Sequence, residues 1–168
     1  VSEALFFAHS FPKESAGTIA ADRRRSFEAK GHNGVNVLLK KKEAERMQAI
    51  HDLIVGHSEP GEWVVTFPYS PTINFMVDRP SYLKNLYIDN ASADKNFVEV
   101  KIREMQEFNP AVIVVDQRDI NDTEHSRFKN WAAPVYRWIR EHYIRVGGEL
   151  NLDDNGIYVR RDKIPTQT

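Results

Sequence analysis

From residue 35 onward the apolar positions fall into regular periods. Val35-Asn36-Val37-Leu38-Leu39 alternates weakly and is β-branched at its start, which predicts a strand. Between Lys41 and His57, residues Ala44, Met47, Ile50, Leu53 and Ile54 recur at steps of three and four. That spacing places one apolar stripe on an amphipathic helix and turns Glu43, Glu45, Arg46 and Asp52 toward water. Pro60-Gly61 ends the helix, and Trp63-Val64-Val65-Thr66-Phe67 follows as a buried strand. A second helix is predicted over residues 91–108, with Val98, Ile102, Met105 and Phe108 on one face. Asn109-Pro110 stops it, because a residue preceding proline is pushed out of the α region. Ala111-Val112-Ile113-Val114-Val115 is all apolar with four β-branched members, the pattern of a central parallel strand covered on both faces.

The third helix carries Phe128, Trp131, Ala132, Val135, Trp138, Ile139 and His142 on one stripe, opposite Arg137, Arg140 and Glu141. Pro134 either sits in a first turn or bends the helix. Residues 143–150 and 156–161 predict a closing antiparallel hairpin, since Asn155-Gly156 tolerates the positive φ of a tight turn. Residues 1–34 show no comparable period: Leu5-Phe6-Phe7 reads as a short strand, followed by an irregular stretch containing Arg23-Arg24-Arg25. The expected organisation is an N-terminal strand and irregular segment over 1–34, an α/β domain over 35–162 and a tail over 163–168. Strand and helix alternating twice implies parallel crossovers. The expected fold is a three-layer α/β sandwich with a mostly parallel sheet and the hairpin at one edge.

Composition narrows the function. The 168 residues include 23 Lys and Arg against 24 Asp and Glu, without the basic excess of a nucleic-acid binder. The absence of cysteine removes disulfide, thiol and thiolate-zinc chemistry. No apolar run exceeds five residues, far short of a membrane span. The chain opens on Val1 rather than Met, which leads us to expect a longer parent polypeptide. The glycine-rich nucleotide loops, the nucleophile elbow and the two-histidine zinc helix are all missing, so no cofactor or metal is expected.

Two places invite chemistry. Asp116 stands at the carboxyl end of the central strand, where open α/β sheets bind ligands, and opens the acidic stretch 116–125. Such loops are more often rich in Asp and Asn simply because these residues form turns and caps. The second is Phe67-Pro68-Tyr69-Ser70-Pro71, where two prolines bracket Tyr-Ser directly after a strand. Ser70 is placed to cap a helix starting at Pro71, and Tyr69 to present its hydroxyl beside Asp116. The alternative is a rigid corner with Asp78 and Arg79 paired on the surface. Tyr69, Ser70, Asp78, Arg79 and Asp116 are therefore the candidate pocket. The sequons at Asn90 and Asn121 are too few to argue from, and Lys40-Lys41-Lys42 reads as a solvated face unless it lies beside anionic lipid.

Several motifs occur in a fixed order: Pro60-Gly61-Glu62, Phe67-Pro68-Tyr69-Ser70-Pro71, Asp78-Arg79-Pro80, Asn109-Pro110 with its apolar strand to Asp116, Arg140-Glu141-His142-Tyr143, and Gly156 to Arg161. Over residues 35–162 this order resembles the extracytoplasmic C-terminal domain of bacterial multi-pass membrane glycosyltransferases related to the dolichyl-phosphate-mannose protein mannosyltransferases. The resemblance implies a non-catalytic cap on the outer face of the cell membrane, joined to the transmembrane portion of the same polypeptide. The parent would take sugar from a polyprenyl-phosphate donor, with its catalytic acids in loops outside this segment. It implies a role in acceptor access or assembly, with the lipid-linked sugar or the acceptor as partner. Two other readings stand beside it: a free small-molecule-binding or hydrolytic domain using the candidate pocket, and a protein-interaction module with Tyr136 as its exposed anchor.

Overall fold

The computed structural model describes residues 27–32, 34, 36–68, 70–85, 87–119, 123–147 and 156–165. Two sheets organise them. In the smaller, β1 (Phe27–Lys30) pairs antiparallel with β2 (Asn36–Leu39). The larger has four strands, β3 (Val64–Phe67), β4 (Val112–Val115), β5 (Tyr143–Val146) and β6 (Gly156–Arg160), in the order β3-β4-β6-β5. Helix α1 (Lys41–Gly56) joins the two sheets, and α2 (Pro71–Val77) and α3 (Phe97–Phe108) lie between β3 and β4. Short α4 (Phe128–Trp131) and α5 (Ala133–His142) lead into β5.

Only β3 and β4 run parallel; β6 is antiparallel to both β4 and β5. The sheet is thus mixed rather than mostly parallel. The difference arises at β2, which pairs with β1 and does not enter the larger sheet. Its pattern explains why. Leu38 is 59% exposed, whereas every residue of β3 and β4 is buried. A strand half wet suits a two-stranded antiparallel ribbon, and continuous apolar strands suit the covered interior of a sheet. The β5–β6 hairpin does close the larger sheet, with β5 at the edge.

Side chains alternate across the larger sheet, as the period of two requires. Val65, Phe67, Ile113, Val115 and Tyr158 share a core with Phe97 and Met105 of α3, Phe128 of α4 and Val135 and Ile139 of α5. Val64, Val112, Val114, Ile157 and Val159 join a second cluster with Ile54 of α1 and with Ile73 and Val77 of α2. A third, smaller cluster packs Ala29 of β1 against Ala44 and Met76. No helix among the described residues is long and apolar enough to cross a membrane.

Local chemistry accounts for the element boundaries. Helix α3 starts at Phe97 rather than 91. The Asp89 carboxylate accepts from the backbone N–H groups of Ala91 (3.1 Å) and Ser92 (2.7 Å), and that of Asp94 from Asn96 (2.8 Å). Such bonds offer the chain a turn in place of a helix. At its other end Asn109 takes a left-handed conformation (φ 44°), which asparagine tolerates, and returns its N–H to the Met105 carbonyl. Pro134 lies in the first turn of α5, where its missing N–H costs no helical bond. Tyr136 is half-buried, with its hydroxyl 3.1 Å from that of Tyr158, and is not the exposed anchor expected of it. The expected strand near residues 5–7 and the hairpin turn at 151–155 lie outside the described residues.

Candidate functional site

The carboxyl ends of the two parallel strands are tied together by side chains. Beyond β3, the Phe67–Pro68 peptide is cis and the chain reaches Ser70 at the N-cap position of α2. Its hydroxyl does not cap the helix. Instead it donates across the sheet edge to Asp116 Oδ2 at 2.9 Å. The Asp116 backbone N–H in turn donates to the Phe67 carbonyl, extending the parallel ladder by one step. Arg118 closes over the carboxylate, with Nε at 3.0 Å from Oδ1 and 2.8 Å from Oδ2, Nη2 also on Oδ2, and its N–H on Oδ1. Burial of Asp116 pushes its carboxyl pKa upward, but the bonds from Arg118 and Ser70 prevail and hold it below the ordinary value. Asp116 is therefore an anion with its lone pairs engaged, a weak base at neutral pH.

The elements around this edge enclose a cavity of about 420 Å³. Its inner surface is aliphatic, formed by Met47, Ile50, Ile73, Val114 and Ile157 with neighbouring Leu39 and Val115. Its polar boundary is Ser70, Asp116 and Arg118 on the sheet side and Glu43 and Arg46 on the α1 side. Helical geometry puts the latter two there: Glu43 and Arg46 are three apart, and Arg46 stands four before Ile50, on the flank of the buried stripe. The expectation that Arg46 faces water is corrected accordingly; it is half-buried beside the cavity. Ser70 and Asp116 of the candidate pocket line this cavity, and Tyr69 lies outside the described residues.

Asp78 and Arg79 belong elsewhere. Asp78 takes a left-handed conformation (φ 51°) and returns its N–H to the Asn74 carbonyl, closing α2. Arg79 is 5% exposed, so the expected surface pair is replaced by a buried fork. Its Nε donates to Ser58 Oγ (3.1 Å), Nη2 to the Ser58 carbonyl (2.9 Å), and Nη1 to the carbonyls of Val77 and Asp78 (3.1 and 3.2 Å). A guanidinium spreads its charge over five donors in one plane, so a ring of carbonyls can satisfy it. Arg79 is a clamp between the end of α1 and the end of α2. Asn74 performs a related task unforeseen from the sequence, donating to the Val64 carbonyl (2.7 Å) and accepting from Thr66 Oγ1 (3.1 Å).

The opposite end of the sheet is tied by a second set of bonds. Arg160 of β6 reaches the Asn109 carbonyl (2.6 Å) and Glu62 (3.3 Å), and Lys163 also meets Glu62 (2.8 Å). The Tyr143 hydroxyl donates to the Pro110 carbonyl at 3.0 Å. Among the described residues no group of three or more His, Asp or Glu side chains is placed to share a metal ion. Comparison with protein-family models, curated proteins and solved structures finds no match to the chain.

Proposed function

We propose that the chain is the extracytoplasmic soluble domain of a membrane-embedded bacterial glycosyltransferase that uses a polyprenyl-phosphate-linked sugar, serving acceptor access or assembly rather than bond-making. One observation carries this reading. The motifs on which the resemblance rests touch one another in the fold, although they are far apart in sequence. Glu62 meets Arg160, Arg160 meets Asn109, Tyr143 meets Pro110, and Ser70 meets Asp116. Residues that hold one frame together have reason to occur as one ordered set. We read that frame as a three-layer α/β sandwich, with α1 and α2 on one face of the sheet and α3 to α5 on the other.

The site chemistry favours a role without bond-making. Ser70 donates to a carboxylate already neutralised by Arg118, so Asp116 is a poor base for activating the hydroxyl. The reading places the domain on the outer face of the cell membrane, attached to the transmembrane part of its own polypeptide. The test is to extend the coding frame upstream of Val1. Several apolar stretches of about 20 residues each are expected there. A frame that opens immediately before Val1 overturns the proposal. In membranes holding the full-length protein, the Asp116→Asn variant is expected to keep its rate of sugar transfer at saturating donor. Loss of turnover in a well-folded variant would assign catalysis to this fragment instead.

A second reading, a free-standing small-molecule-binding domain, is favoured by the cavity itself, whose volume lies in the usual range for ligand sites of about 300–1,000 Å³.

A further inference from the structure

The cavity beside Ser70 and Asp116 has an asymmetric lining. Among the described residues its floor is apolar and without an aromatic ring: Ile50, Ile73, Val114 and Ile157 supply saturated hydrocarbon and Met47 a flexible thioether. A floor of this kind has no flat π-face for a sugar or a base to stack on. It suits a saturated or branched hydrocarbon, which gains from leaving water and asks nothing directional of the wall.

The polar boundary is divided in its charge bookkeeping. Asp116 is neutralised by Arg118 and hydrogen-bonded by Ser70. On the facing helix Arg46 is half-buried, and among the described residues its guanidinium has no hydrogen-bond or ion-pair partner. Glu43, one turn earlier, is exposed and makes no ion pair with it. An arginine half-buried at the edge of an aliphatic cavity, with no partner for its charge among the described residues, is electrostatically unfinished. A carboxylate or phosphate brought to it would form a charge-assisted, bidentate pair with the planar fork.

We propose that this cavity binds an amphiphile made of an aliphatic chain and one anionic head group, with the chain on the Ile50–Ile73–Ile157 floor and the head group on Arg46. This goes beyond the reading of the chain as a transferase domain and holds equally for a free-standing one. The shared chemistry is a hydrocarbon with a terminal anion; a carboxylate and a phosphate monoester are its two sources.

The experiment is a titration of the 168-residue chain, labelled at Ile, Leu, Val and Met methyl groups, below micelle-forming concentrations of each probe. The probes are decanoate, decyl phosphate, decanol and inorganic phosphate. Decanoate or decyl phosphate is expected to shift the methyl signals of Ile50, Ile73 and Ile157, and the tighter of the two identifies the head group. Decanol should bind about tenfold more weakly for want of the charge-assisted pair, and inorganic phosphate alone should leave the Ile signals in place. Arg46→Gln retains a good helix former and is expected to bring both anions down to decanol's affinity. Ile73→Phe, which fills the floor, should weaken all three chains together. Equal affinity for decanol and the anions in the unsubstituted protein, or methyl shifts confined to residues away from the cavity, would overturn the proposal. So would full affinity for the anions in the Arg46→Gln variant.

Discussion

Ser70 donates a hydrogen bond of 2.9 Å to Asp116, a residue 46 positions further along the chain, and so joins the ends of the two parallel strands. The bond defines one rim of the cavity and ties the start of α2 to the end of β4. It also makes the Asp116 charge part of the fold's stability.

That coupling has a pH signature. The folded pKa of Asp116 lies below its unfolded value, about 3.9, so the carboxylate's contribution is complete above that pH and is lost as the pH falls through the folded pKa. Asp116→Asn is expected to cost on the order of 1–2 kcal/mol at neutral pH. The gap between the two proteins should narrow steadily as the solution is made more acid than pH 4 or so. Urea midpoints measured from pH 7 downward test this; a gap that stays constant would show that the Asp116 charge is not the source of the difference.

Arg79 predicts a loss that charge alone does not describe. Its four bonds run from one planar fork to Ser58, Val77 and Asp78. An ammonium keeps the charge but cannot reach these acceptors together. Arg79→Lys should therefore destabilise the protein by on the order of 3 kcal/mol. Chemical denaturation decides it, and a variant as stable as the parent would rule out the fork as the clamp between α1 and α2.

A steric prediction concerns Gly156. A Cβ there would lie 2.5 Å from Cε2 of Tyr158, whose ring is buried and whose hydroxyl meets that of Tyr136. The ring has nowhere to swing, so Gly156→Ala should cost about 1–3 kcal/mol through overpacking. In a Tyr158→Val background the same substitution should cost little. Equal losses in both backgrounds, read from thermal midpoints, would place the strain elsewhere.

Tyr143 supplies the alkaline counterpart. Burial pushes its hydroxyl up to about 12, against an ordinary value near 10. A raised folded pKa contributes stability that is complete below the unfolded value and disappears as the pH rises through the folded one. Tyr143→Phe also strands the Pro110 carbonyl and should cost about 1–2 kcal/mol at pH 8. The deficit is expected to shrink between pH 10 and 12. Denaturant midpoints across that range check it, and a deficit independent of pH would leave only the lost hydrogen bond.

Periodicity and local chemistry determined much of this protein. The stripe Ala44–Met47–Ile50–Leu53–Ile54, the all-apolar run 111–115, the helix stop at Asn109-Pro110 and the start of α2 at Pro71 are short-range effects, each set by a few neighbouring side chains. Tertiary structure decided the partners. That β2 pairs with β1, and that β6 enters between β4 and β5, depends on which edges and faces meet when the whole chain collapses. The site divides in the same way. Ser70 and Asp116 were legible because strand ends and proline corners mark a sheet edge. Arg79 was not, because only the packed chain brings Ser58 and the end of α2 within reach of its fork. Arg46 shows the reason most plainly: helical spacing gives a residue's angle around the helix, but whether a flank meets water or a cavity is set by what packs opposite it.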